Sequence, residues 1–190
     1  MNPLGTLTYS VGELRAAVAA LDKAELELVS NCEPWTVLRL VSHAVKNQLF
    51  WAGLVAGVDL MPLEESMGAV AHDGDLGPFT EETLDRVLEL WETPGVLVAT
   101  HATPFGSLPG SAVINFAIID AIAHAWDIAA SVGRPIEFAA ESIPAISGVV
   151  EFTCTDHTVE LGLVKSPTRP PVDATDTERL MAAAGRAIGR

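Results

Sequence analysis

The sequence predicts an all-helical fold, organised as a four-helix bundle with peripheral additions. Four or five long stretches place apolar residues at the spacing of one helix face, and none shows a sustained strand-like alternation. Segments rich in glycine and proline separate these stretches, as expected where helices pack on one another through connecting loops. The 190 residues are enough for one domain with a substantial buried core.

Residue patterns at the ends of the periodic stretches set the boundaries of the predicted helices. These lie over residues 10–29, 36–55, from 80 onward, 111–131, 140–156 and from 175 onward. Ser10 and Glu13 have the spacing of a capping box, and so do Thr175 and Glu178. Thr36 is the predicted N-cap of the second helix.

Two turn-rich segments separate the predicted helices in the middle of the chain. Residues 59–79 form a predicted loop whose length marks it as functional or mobile, and Thr80 caps the helix that follows. Residues 102–110 are dense in turn residues and lead into the most apolar helix. We expect residues 1–165 to form the helical bundle, and residues 166–190 to form a linker and a C-terminal helix packed on the same domain.

Composition and charge argue against several classes of partner. The chain has 11 Lys and Arg against 25 Asp and Glu, and its net charge of −14 disfavours nucleic acid. Polar residues interrupt the longest apolar run before it reaches the roughly 18 residues of a membrane span. The N-terminus lacks the pattern of a secretory signal, and the two distant cysteines give no disulfide framework. We therefore expect a soluble cytoplasmic protein without nucleic-acid or membrane partners.

Polar side chains within the most apolar helix are the strongest sign of a functional site. Asp120 and His124 are four residues apart and lie on one helix face, and Asp127 lies close to the same face. Burying a carboxylate costs free energy unless a partner compensates it, and a cation is the simplest partner. This helix therefore presents Asp120 and His124 as a candidate pair of metal ligands.

His43 is a third candidate ligand, surrounded by apolar residues in the second helix. Facing helices of a bundle can bring such side chains together around a metal. Two histidines and one carboxylate suit zinc, nickel, iron or manganese, and leave positions open for water or substrate. The alternative from spacing alone is a salt bridge between Asp120 and His124, with His43 satisfied elsewhere in the core.

The remaining residues of chemically active types have simpler interpretations. Cys32 and Cys154 are expected to be buried, inert thiols. The four tryptophans are expected to pack in the core. The other histidines lie in loops or near a helix end and are expected to be solvated: His72, His101 and His157.

Three blocks of the sequence are similar to a known family of metal-binding bundles. The blocks are CEPWTVLRLVSHAVKNQLFWAGLVAG, PFGSLPGSAVINFAIIDAIAHAWDIAASVGRP and ERLMAAAGR. The chain resembles the DinB/YfiT-like metalloenzyme superfamily, in the actinobacterial branch that contains the N-terminal domain of mycothiol-dependent maleylpyruvate isomerase. The resemblance implies a DinB-like four-helix bundle with a long crossover connection and a short C-terminal helical extension. It also implies a metal held by His43, Asp120 and His124, with Glu in the isomerase at the position of Asp120.

The resemblance further implies a metal-dependent enzyme. A divalent metal, with zinc the first choice, would activate a low-molecular-weight thiol such as mycothiol for attack on a small electrophile, giving transfer or isomerisation. Asp127 is expected to act in catalysis by orienting His124 or by binding a cationic group of the thiol, and its alternative roles are a cap or a surface salt bridge. Alternative functions are metal-assisted hydrolysis and non-catalytic binding of a metal or small ligand. We also expect a homodimer.

Overall fold

The computed structural model describes residues 1–58, 60–67 and 71–189. Within these ranges the chain forms eight α-helices and one two-stranded antiparallel hairpin, with a 3-10 turn between the first two helices. The elements are α1 (Pro3–Ala19), the 3-10 turn (Glu25–Glu27), α2 (Val37–Ala56), α3 (Leu63–Ser66), α4 (Leu76–Trp91), β1 (Thr100–Thr103), β2 (Gly106–Pro109), α5 (Gly110–Ser131), α6 (Ile143–Thr153), α7 (Asp156–Glu160) and α8 (Asp176–Ala183).

Helices α1, α2, α4 and α5 form the predicted four-helix bundle. Both α1 and α2 pack against α4 and α5, so the consecutive helices α1 and α2 stand at diagonal positions. The chain therefore crosses the bundle between α1 and α2, and again between α4 and α5. This arrangement agrees with the expected bundle with a long crossover connection.

Helix α5 is the central helix of the core. Ile114, Ile118 and Ile122 are 1% exposed or less, and they pack against apolar residues of α1 and α2. By length and composition α5 could cross a membrane, but 72% of its most apolar window is buried inside the molecule. Its burial is that of a core helix, which is how the sequence analysis interpreted it.

The predicted start of the first helix at residue 10 is wrong. Asn2 is the N-cap, with its side chain accepting from Gly5 N, and Pro3 occupies the first helical position, where its missing N–H does no harm. Ser10 is buried inside α1 and donates to the carbonyl of Thr6 instead of capping. Helix α1 ends at Ala19, so the predicted extension to residue 29 is also wrong.

The middle of the chain contains more secondary structure than predicted. The predicted loop over 59–79 includes the short helix α3 and the first turn of α4, which Asp75 caps in place of Thr80. Asp59 and residues 68–70 of that loop lie outside the described residues. The turn-rich segment at 102–110 belongs to the hairpin β1–β2, whose strands of four residues are too short to show periodicity.

Other predicted boundaries are confirmed or shifted slightly. Thr36 caps α2 by accepting from Arg39 N, and Thr175 and Glu178 form the predicted capping box of α8. The helix expected over 140–156 corresponds to α6, which ends at Thr153 because Cys154 leaves the helical conformation, and the separate helix α7 begins at Asp156. Helix α8 packs against α6, while the division at residue 165 stays a prediction.

Candidate metal centre

Two neighbouring helices bring the predicted ligands together. His43 lies on α2, and Asp120 and His124 lie one turn apart on α5, which packs against α2. One potential ligand atom from each of the three residues lies within 4.8 Å of those from the other two. The structure therefore groups the residues that the sequence analysis selected, and their role as ligands stays a prediction.

The distances around Asp120 test whether these side chains suit a metal ion. Oδ1 of Asp120 lies 3.9 Å from Nε2 of His43 and 3.5 Å from Nε2 of His124. Both separations exceed the roughly 2.7–3.2 Å of an N–H···O hydrogen bond. In a tetrahedral metal site with metal–ligand bonds of about 2.1 Å, the ligand atoms lie about 3.4 Å from one another. The spacing therefore suits three ligands of one ion better than directly hydrogen-bonded pairs.

His43 is held in the tautomer that a metal ligand requires. Its Nδ1 lies 2.6 Å from the carbonyl oxygen of Ser66 at the end of α3. A carbonyl oxygen can only accept, so Nδ1 carries the proton and Nε2 faces Asp120 with its lone pair. The ring of Trp35 packs beside the imidazole at a centroid distance of 4.9 Å. Helix α3 and the Trp35 ring thus fix the orientation of this imidazole.

His124 is oriented in the same way by a carboxylate. Its Nδ1 donates to Oδ2 of Asp127 over 3.0 Å, one turn further along α5. This contact leaves Nε2 of His124 directed toward Oδ1 of Asp120. Metal-bound histidines usually donate their other ring N–H to a carboxylate or carbonyl, as both His43 and His124 do here.

Two amide side chains of α2 hold the Asp120 carboxylate. Asn47 donates to its Oδ1 over 2.8 Å, and Gln48 donates to its Oδ2 over 3.0 Å. Gln48 also donates to the carbonyl oxygen of Ala117 and is completely buried. These bonds fix the carboxylate rotamer and leave acceptor capacity on Oδ1, which faces both imidazoles.

Asp127 is completely buried and accepts hydrogen bonds from three separate parts of the chain. Besides His124, its donors are Asn31 Nδ2 at 3.1 Å, Cys32 Sγ at 3.3 Å and Arg186 Nη2 at 2.9 Å. Its burial and its ion pair with Arg186 rule out the surface salt bridge considered from the sequence. Cys32, His124 and Asp127 form a second group of potential ligand atoms beside the first.

The electrostatic environment sets the protonation of these groups. Burial lowers the pKa of His43, and the nearby His124 lowers it further, which favours the neutral imidazole. Burial also lowers the pKa of His124, but the hydrogen bond to Asp127 and the proximity of Cys32 and Asp120 outweigh it and raise the pKa to about 10. Burial raises the pKa of Asp127, yet the charge of Arg186 and the bond from His124 bring it well below its usual range. A divalent cation would have to displace the His124 proton, because only neutral imidazole binds metal.

The residues that support the candidate ligands were not predicted from the sequence. Asn47 and Gln48 are polar positions in an apolar helix, so the argument that selected Asp120 could have selected them too. Arg186 ends the third block that resembles the family, but its contact with Asp127, 59 positions away, follows from tertiary packing and not from local spacing. Cys32 is half-buried beside Asp127, so its surroundings are polar, in contrast to the inert setting expected for it.

The remaining histidines lie apart from the group formed by His43, Asp120 and His124. The ring of His72 stacks on Phe79 with a centroid distance of 4.1 Å. His101 Nε2 bonds the carbonyl oxygen of Val96 and is half-buried, so its expected solvation is only partial. His157 is exposed on α7, as expected.

Curated proteins similar to this chain have no assigned activity. Uncharacterized proteins MT0763 and Rv0738, from two strains of Mycobacterium tuberculosis, are each 25% identical to it over 162 residues. The alignment covers 79% of this chain and 80% of each relative. The similarity therefore extends over most of each chain, but these relatives add no information on its chemistry.

Solved structures of one enzyme share the fold. A crystal structure of the mycothiol-dependent maleylpyruvate isomerase is 16% identical and covers 86% of this chain and 72% of its own, with a TM-score of 0.62. A point mutant of the isomerase is 15% identical and covers 78% and 68%, with a TM-score of 0.60. The family described as the mycothiol maleylpyruvate isomerase N-terminal domain matches residues 7–129, which include His43, Asp120 and His124. This match spans well over half of the sequence, and the chain belongs to the mycothiol maleylpyruvate isomerase N-terminal domain family.

Proposed function

We propose that this chain is a metal-dependent enzyme that uses a low-molecular-weight thiol, mycothiol, to isomerise a small electrophilic substrate or to transfer the thiol to it. One observation carries the proposal: two imidazole Nε2 atoms and one carboxylate oxygen converge, while each Nδ1 has a fixed acceptor. The thiol and the reaction class come from the isomerase that gives the family its name.

His43, Asp120 and His124 would hold the metal, with zinc the first choice and nickel, iron or manganese the alternatives. A divalent ion there would lower the pKa of a thiol that reached it, which supplies a nucleophile at neutral pH. The side chains of Asp120 and His124 are 13% and 12% exposed, so the protein does not fully enclose this group of side chains. Asp127 is proposed to act through His124, because its own oxygens are occupied by hydrogen-bond donors of the protein.

The proposed reaction requires no oxidant. The thiol loses its proton, and its sulfur forms a bond to an electrophilic carbon of an activated double bond. In isomerisation, rotation follows about what has become a single bond, and the carbon–sulfur bond then breaks to return the thiol. In transfer, the neighbouring carbon of the former double bond, which received its electron pair, takes up a proton and the carbon–sulfur bond persists in the product.

Metal content is the first test of the proposal. Elemental mass spectrometry would be applied to the wild type, His43→Ala and His124→Ala, with the exposed His157→Ala as a matched control. We expect near-stoichiometric metal in the wild type and in His157→Ala, and its loss in the other two variants. Absence of metal from the wild type after supplementation with zinc, nickel, iron and manganese would overturn the proposal.

Turnover is the second test, with mycothiol as the thiol and maleylpyruvate or a model electrophile as substrate. We expect consumption of the electrophile that depends on mycothiol and is lost in His124→Ala. Ester or amide hydrolysis without thiol would replace the proposal with metal-assisted hydrolysis. Binding of metal or thiol without turnover of any electrophile would instead indicate a binding protein.

A further inference from the structure

We infer that Arg186 is a positioning residue of the metal centre, which fixes the Asp127 carboxylate and through it the His124 imidazole. This inference rests on the metal centre of the proposed function. Arg186 lies beyond residues 7–129, the part of the chain that the family match covers. The C-terminal extension would therefore complete a site whose candidate ligands all come from the family domain.

The contacts between Arg186 and Asp127 form a two-point clamp. Nη2 of Arg186 donates to Oδ2 over 2.9 Å, and Nε lies 3.3 Å from Oδ2 and 3.4 Å from Oδ1. Oδ2 is also the atom that accepts the Nδ1 proton of His124 over 3.0 Å. Because the two donors meet on one buried oxygen, movement of the carboxylate away from Arg186 would also break the bond to His124.

The end of α8 delivers Arg186 to this position. Gly185 adopts a φ of +84°, and its N–H bonds the carbonyl of Ala182 while Arg186 N–H bonds the carbonyl of Met181. This is the Schellman ending of a helix, which suits glycine at the left-handed position. Arg186 Nη1 then donates to the carbonyl of Ala184, so the guanidinium is held at both ends.

An arginine is suited to this role because of its planar set of donors. A guanidinium can bond both oxygens of a carboxylate at once, whereas a lysine ammonium acts as a point charge. The Arg186 side chain is 16% exposed and that of Asp127 is 1% exposed, so water has little access to substitute for a lost contact. Removing the arginine would leave a buried carboxylate that can turn away from His124.

The test measures metal affinity in Arg186→Met and Arg186→Lys. Arg179→Met is the matched control, since Arg179 lies on α8, just before Arg186 in the chain, with its side chain 51% exposed. Cobalt(II) affinity by chelator competition and the visible spectrum of the cobalt form would be recorded for each protein. Loss of an outer partner of a metal-bound histidine typically lowers metal affinity by about 10–100-fold. We expect that loss in Arg186→Met with an altered spectrum, a smaller loss in Arg186→Lys and no change in Arg179→Met.

A double-mutant cycle separates positioning from general stability. If Arg186 acts through Asp127, the losses of cobalt affinity in Arg186→Lys and Asp127→Asn will be strongly non-additive when combined. Unchanged cobalt affinity in a folded Arg186 variant, or fully additive losses, would overturn the role of Arg186 and leave the proposed metal centre standing. If Arg186→Met does not fold, the cycle decides the matter with Arg186→Lys. A wild type that binds no cobalt would overturn the metal centre itself and this role with it.

Discussion

His43 and His124 come from different helices, yet their rings meet edge to face at a centroid distance of 5.0 Å and both direct Nε2 toward Oδ1 of Asp120. Each ring is fixed from behind, His43 by the Ser66 carbonyl and His124 by Asp127. The two rings are thus held with both Nε2 atoms facing one carboxylate oxygen, and binding of a metal would require His124 to give up its Nε2 proton.

Asp120→Asn is expected to abolish stoichiometric metal binding. The substitution keeps the size of the side chain but removes the negative charge that faces both imidazoles. The loss should exceed the roughly 10–100-fold typical of outer partners, because Asp120 is proposed as a ligand itself. Chelator competition measures the affinity, and Glu82→Gln, at an exposed position on α4, is the control. Wild-type affinity in Asp120→Asn would remove Asp120 from the ligand set.

Asn47→Ala and Gln48→Ala are expected to weaken metal binding by about 10–100-fold each, the usual effect of losing an outer partner. Each removes one donor to the Asp120 carboxylate and allows it to rotate. Asn115→Ala is the control, because the Asn115 amide bonds backbone carbonyls of its own helix. The same competition assay applies, and equal affinities for all three variants would contradict the role of the two amides.

The grouping of the candidate ligands was predictable because its signal is local and chemical. Asp120, His124 and His43 are polar positions in apolar helices, so their types and spacing suggest a shared cation, beside the alternative of a salt bridge. The N-caps at Thr36 and Thr175 were predictable for a similar reason, since capping depends on residues within one turn.

Features that depend on tertiary packing were not predictable from the same patterns. The clamp between Arg186 and Asp127 joins residues 59 positions apart and follows from how the terminal segment folds back. The start of α1 was missed because Ser10 and Glu13 mimic a capping box inside a helix that begins at Pro3. The hairpin β1–β2 was missed because four residues per strand are too few for a periodic pattern.

Leu14→Ala is expected to destabilise the bundle by about 2–5 kcal/mol, the usual range for a leucine truncated in a core. Leu14 is completely buried on α1, which packs against α5. Leu161→Ala, at a side chain that is 49% exposed, should change the free energy of unfolding by about 0.5 kcal/mol or less. Urea denaturation measures both values, and similar values for the two variants would contradict the packing of α1 in the bundle.

The ion pair between Glu25 and Arg134 predicts a loss of stability in acid. Hydrogen bonds from Arg134 lower the pKa of Glu25 from 4.5 to about 2. A carboxyl group whose pKa is lower in the folded than in the unfolded protein stabilises the folded state at pH values above its unfolded pKa. This stabilisation is lost as the pH falls through its folded pKa. Glu25→Gln should therefore be less stable than the wild type at neutral pH, and the difference should disappear between about pH 4.5 and 2.

Urea denaturation across this pH range measures the effect of Glu25→Gln. Glu27→Gln is the control, because Glu27 is exposed in the same 3-10 turn. A stability difference for Glu25→Gln that persists unchanged to the acid end of the range would contradict the pairing with Arg134.

Gly185→Ala is expected to destabilise the protein and to weaken metal binding at the same time. A Cβ at Gly185 would lie 2.5 Å from the carbonyl oxygen of Lys165, and the φ of +84° is itself unfavourable for alanine by about 1–3 kcal/mol. Relief of this clash would displace the neighbouring Arg186 from Asp127. Gly162→Ala is the matched control, because Gly162 has a φ of +72° but open space where its Cβ would lie. Both variants should lose stability in urea denaturation. A loss of cobalt affinity is expected in Gly185→Ala alone, because the strain in Gly162→Ala does not displace Arg186 and therefore leaves His124 in place.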